Sequence, residues 1–98
     1  MNDDDLIRKL NSVGKQAFVE NFLLFQKYAK GDVSRDMAIE ELVKLGVSNE
    51  AGAAIRVGNA KLIFESSRVA DALALVLESK KLSVNVVKEA KKLINEIA

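Results

Sequence analysis

The stretch from Val47 to Ser66, VSNEAGAAIRVGNAKLIFES, constrains the fold of this chain more than any other. Ser48 is a good N-cap residue and the spacing after it is helical, so a helix is expected over residues 49–66. Laid out at about 100° per residue, it carries two apolar stripes. Ala51, Ile55, Gly58 and Leu62 make one; Ala53, Val57, Ala60 and Phe64 make the other on nearly the opposite side. Narrow polar seams separate them, Glu50, Lys61 and Glu65 on one edge and Arg56 with Asn59 on the other. A helix apolar on opposite flanks is expected to be sandwiched between neighbours, and its Ala and Gly residues let those neighbours come close. The expectation is an all-α fold: a compact bundle of about five or six short helices around this central one, residues 1–98 forming a single helical domain.

The rest of the chain agrees with that class. No proline occurs, and β-branched residues are scattered rather than alternating, both of which favour helix. Asn2 or Asp3 caps a first helix, with Asp3, Asp4 and Asp5 against its positive end. Leu6, Leu10, Val13 and Ala17 form one apolar face; Phe18, Phe22, Phe25 and Ala29 form a second that reads as core. The switch falls at Asn11-Ser12-Val13-Gly14, so a short helix, a bend and a longer helix ending at Gly31 are expected, with one bent helix as the alternative. Ser34 caps a helix over Arg35–Leu45 whose apolar face is Ala38, Ile39, Leu42, Val43 and Leu45, and Gly46 ends it. Val69–Glu78 is apolar over most of its circumference and reads as a second inner helix. Ser83 caps the last one, with Val86, Val87, Ala90, Leu93, Ile94 and Ile97 inward and Lys88, Lys91 and Lys92 outward.

Composition narrows the chemistry. With neither cysteine nor histidine, the chain has no disulfide framework, no thiolate metal site and none of the commonest general bases. No nucleophile elbow, phosphate-cradling glycine loop or dinucleotide fingerprint is present. Asp36 and Glu40, at i and i+4, share a face that could grip a divalent cation, but acidic residues in a first helical turn are explained by the helix dipole. The expectation is therefore no enzyme, no catalytic residue, no metal and no cofactor. The opening MNDDDLIRKL is acidic where a signal peptide would be basic, and the longest apolar tract, Ala72 to Leu77, is far short of the roughly 20 residues that span a bilayer. A cytoplasmic protein with no membrane partner is expected.

Two binding functions remain. The first is a non-catalytic protein–protein interaction module, of the inhibitory kind represented by small bacterial-type immunity proteins, antitoxins and adaptors. Its expected contact surface is the acidic outer face of the Arg35 helix, Asp36, Glu40, Glu41 and Lys44, with Asp32 and Arg35 at the rim. The second is DNA binding. Ala38 to Val57, AIEELVKLGVSNEAGAAIRV, resembles a helix-turn-helix in outline: a helix, Gly46 in the turn, apolar Val47, then Ser48 opening a second helix. That resemblance implies that Asn49, Glu50, Arg56 and Asn59 face bases; because the helix before them is acidic, phosphate contacts fall instead to Lys80, Lys81, Lys88, Lys91 and Lys92, outside the motif. It departs from the motif at Glu41 and Gly52, where apolar residues belong. A helix hemmed in on both flanks cannot also lie in a major groove, whereas an entire flank lying bare to water would give DNA binding the lead over the protein-binding function. Arg56 and Asn59 also have an intramolecular reading, Arg56 pairing with Glu40 or Glu41 and Asn59 capping a neighbouring backbone, against one in which Gly52 opens a notch through which a partner reaches Arg56. A homodimer through a half-covered Val69–Glu78 helix is a further option.

Overall fold

The computed structural model describes residues 1–97. Among them seven α-helices follow one another: α1 (Asp3–Val13), α2 (Lys15–Glu20), α3 (Phe22–Lys30), α4 (Arg35–Lys44), α5 (Glu50–Glu65), α6 (Val69–Glu78) and α7 (Val84–Ile97). The radius of gyration, 12.4 Å, is close to the about 12–13 Å of a single compact domain of this length.

α5 is the hub. α1, α3 and α4 pack along it, and Ala53, Val57, Ala60 and Ile63, at i, i+4, i+7 and i+10, are fully buried beneath them. The small side chains of Ala53 and Ala60 are what let three helices approach one axis. The opposite stripe is not sandwiched. Ile55 is 57% exposed and Leu62 45%, Ala51 faces solvent, and a Cβ added to Gly58 would meet nothing within 4 Å. The expectation of two covered flanks is therefore corrected to one broad covered arc and one bare apolar edge.

Two breaks shape the N-terminal third. Gly14, at φ +91°, ends α1 in a backbone conformation that L side chains rarely adopt. The Val13 carbonyl left unpaired there accepts a hydrogen bond from Arg56 Nη1, reaching across from α5. No basic residue stands in the last turn of α1, so Arg56 supplies both the missing donor and the positive charge that a helix C-terminus favours. A Cβ at Gly14 would lie 2.7 Å from that Nη1. The second break, at Asn21, raises the helix count above the expected five or six. Asn21 Nδ2 donates to the Ala17 carbonyl at 3.1 Å, competing with the backbone for an i−4 acceptor and holding φ −114°, ψ 23° between α2 and α3. Phe18, Phe22 and Phe25 are nonetheless buried as one face, and the Phe18 ring lies 5.8 Å from that of Phe22 and 5.9 Å from that of Phe64 on α5.

Helix ends follow side-chain chemistry. Asn2 Oδ1 accepts from the Asp5 amide at 2.8 Å, Ser34 Oγ from Met37 at 3.1 Å and Ser83 Oγ from Val86 at 3.3 Å. At α5 the cap is Asn49, whose Oδ1 accepts from Gly52 at 2.8 Å, and not Ser48, whose buried Oγ has no partner among the described residues. Gly31 and Gly46 end α3 and α4 in the left-handed region, as their positions imply.

α6 is not an inner helix. Ser67, at φ +61°, turns the chain away from α5. α6 then packs chiefly on α7, burying Ala72, Leu73 and Val76 and turning Ala70, Asp71, Ala74 and Glu78 outward. Arg68 fixes this corner, donating to Asp3 at 2.6 Å, to Asp71 at 2.9 Å and to the Met1 carbonyl at 3.3 Å. The hydrogen bond that Arg68 donates to Asp3, then that to Asp71, raises the Arg68 pKa above its ordinary value, so the clamp stays charged.

Candidate interaction surface

α4 stands out as a ridge because only one of its sides has apolar neighbours to cover. Ala38, Ile39 and Leu42 are buried, while Val43, 42% exposed, and Leu45, 58% exposed, are not part of the covered face expected of them. Open grooves run along both shoulders of the ridge.

The groove between α4 and the start of α5 has a volume of about 1150 Å³. Arg35, Asp36, Glu40, Glu41 and Lys44 all line it, so five of the six residues expected to form a partner surface come together there. Asp32 is exposed in the connector before α4 and lies outside the lining. Met37, Ile39, Val43, Ala51 and Ala54 give it an apolar floor, and Glu50 adds a carboxylate.

The groove on the other shoulder, about 620 Å³, lies between α4, the α2–α3 kink and α7. Sequence patterning did not single it out. Leu23 (65% exposed), Met37 (59%) and Leu45 converge on it, above buried Phe22 and Leu93. Its rim carries Glu20, Glu41, Glu89 and Glu96 against Lys27 and Lys92. A signal was available: Leu23 and Met37 fall off the apolar stripes of their own helices, so no packing role accounts for them.

The carboxylates at this surface outnumber its basic side chains and form no ion pair among the described residues. The ion pairs among the described residues are Arg8–Asp5, Arg68–Asp3 and Arg68–Asp71, all remote from α4. Both grooves therefore present carboxylates with no cation in pairing distance, although each also holds two basic side chains.

The residues expected to read nucleic acid are differently placed. Arg56 is spent on the Val13 carbonyl; its role is intramolecular, with a backbone acceptor rather than Glu40 or Glu41. Asn59 Nδ2 donates at 2.9 Å to Ile55 of its own helix, not to a neighbouring one, and Asn49 is the α5 cap. The solvent-facing edge of α5 offers Glu50, Ala51, Ile55 and Leu62 instead. Lys80, Lys81, Lys88, Lys91 and Lys92 are all exposed, but Lys92 shares its groove with Glu89 and Glu96.

Among the described residues no group of three or more Asp and Glu side chains is placed to hold a metal ion, and no helix is long and apolar enough to cross a membrane. No family model, no curated protein and no solved structure matches this chain.

Proposed function

We propose that this chain is a non-catalytic protein-binding module of the inhibitory kind, comparable in role to immunity proteins, antitoxins and adaptors, acting in the cytoplasm. The observation that carries this reading is the α4 ridge: apolar side chains stand open to water on both shoulders, ringed by carboxylates that are in no ion pair among the described residues. Side chains of that size left exposed together mark an interaction surface more often than scattered single ones do. An acidic rim around an apolar centre has the anatomy of a protein interface. The absence of cysteine suits a reducing compartment.

DNA binding through α4 and α5 has less support. Although one flank of α5 is bare, it carries apolar side chains and Glu50 where phosphate contacts want Lys or Arg, and Arg56 is already engaged. The outward face of α6 offers little apolar area for a homodimer.

Affinity capture from the native source tests the proposal, comparing the unaltered chain with Asp36→Lys/Glu40→Lys/Glu41→Lys. All three side chains are exposed, so the variant is expected to keep the helical circular dichroism of the parent. A protein partner recovered in specific stoichiometry by the parent should be lost at least tenfold by the variant, since like charges placed across an interface cost several kcal/mol. Recovery of nucleic acid alone, retained by the triple variant and lost on Lys88→Glu/Lys92→Glu, would overturn it.

A further inference from the structure

We infer that the groove between α4, the α2–α3 kink and α7 receives a basic amphipathic helix of the partner protein. The inference rests on the protein-binding reading and deepens it by naming the chemistry of the occupant.

Three observations carry it. First, Leu23 on α3 and Met37 and Leu45 at the two ends of α4 line the groove while remaining more than half exposed, so they present anchors on two sides of one trough. α4 has 10 residues, which at 1.5 Å per residue gives a wall about 15 Å long. A docked helix showing apolar residues at i, i+4 and i+7 covers about 10 Å of that length.

Second, the walls decide between a helix and an extended peptide. α2, α3, α4 and α7 satisfy most of their backbone N–H and C=O groups internally, so the groove has no free edge to pair with a strand. An extended occupant would bring its own polar backbone against apolar side chains without partners, whereas a helix arrives with its backbone bonds made.

Third, the rim sets the sign of the charge. Glu20, Glu41, Glu89 and Glu96 face Lys27 and Lys92, and none of the six is in an ion pair among the described residues. The chain as a whole has a formal charge of +1. The groove thus runs against the overall balance, which favours a cationic occupant there by local attraction.

Fluorescence anisotropy with three labelled synthetic peptides of about 18 residues tests this. One places Leu at i, i+4, i+7 and i+11 with Lys elsewhere; the second replaces each Lys by Glu; the third scrambles the first so that no apolar stripe remains. The Leu/Lys helix is expected to bind, with affinity at least tenfold above both others and falling as salt is raised. Leu23→Gln/Met37→Gln and Glu89→Lys/Glu96→Lys should each weaken it at least tenfold. Equal binding of the three peptides, no binding of the first, or indifference to both groove variants would overturn the inference. If the Leu/Lys helix fails while the α4 charge-reversal variant still loses a captured protein, this inference falls and the protein-binding reading stands. If the helix binds as expected but the parent recovers nucleic acid alone, the reading falls and the groove's preference does not.

Discussion

Phe18→Ala is expected to remove about 3–5 kcal/mol of stability, the usual cost of deleting a buried aromatic ring. Phe18 is fully buried, and its ring meets those of Phe22, Phe25 and Phe64 at centroid separations of 5.8, 6.3 and 5.9 Å. The four rings belong to three elements: Phe18 is on α2, Phe22 and Phe25 are on α3, and Phe64 is on α5. The ring therefore joins the kinked N-terminal pair to the hub, and a void there cannot be closed by one helix moving alone. A small domain has about 5–15 kcal/mol in all, so the loss is a large fraction of the total. Urea unfolding followed by circular dichroism should show a midpoint lowered to match, with little change in slope. A loss under about 1 kcal/mol would mean the cluster is not packed as described.

The second large effect is at Gly14. Gly14→Ala forces a side chain into a φ of +91° and sets its Cβ 2.7 Å from Arg56 Nη1. The backbone term is about 1–3 kcal/mol. Displacing the guanidinium from the Val13 carbonyl adds about 1.5–3 kcal/mol, the worth of a hydrogen bond to a charged group. Arg56→Ala alone should cost about that second amount. The two substitutions should not add: once Arg56 is truncated, Gly14→Ala has only its backbone penalty left. A double-mutant cycle is therefore expected to show the double variant about 1.5–3 kcal/mol more stable than the sum of the singles. Strict additivity would show that Arg56 does not reach the end of α1.

Class and hub were legible in the sequence because they rest on periodicity. The caps Asn2, Ser34 and Ser83, the ends at Gly31 and Gly46, and the buried Phe stripe all follow from local chemistry. What was not legible depends on long-range geometry. Two apolar stripes on α5 looked alike, yet only the one containing Ala53, Val57 and Ala60 is covered, since three neighbours fill one arc and α6 is carried off by the turn at Ser67. Asn49 rather than Ser48 caps α5, a choice between adjacent good capping residues that propensity does not make. Asn21 splits a helix through one side-chain hydrogen bond. At the candidate site, the acidic face of α4 was visible as a charge pattern, and its residues do gather in one groove. The second groove was not, because it is assembled from α3, α4 and α7, whose approach no local pattern encodes.

On the proposed protein-binding reading, Leu23 on α3 and Met37 and Leu45 at the two ends of α4 are left outside the core for a partner rather than for the fold. The unfolding free energy of Leu23→Gln/Met37→Gln/Leu45→Gln measures this directly, since Gln keeps helix propensity while removing the apolar surface. With all three more than half exposed, the summed change should stay within about 1 kcal/mol of the parent. A loss above about 3 kcal/mol would place these side chains in the core and contradict the claim.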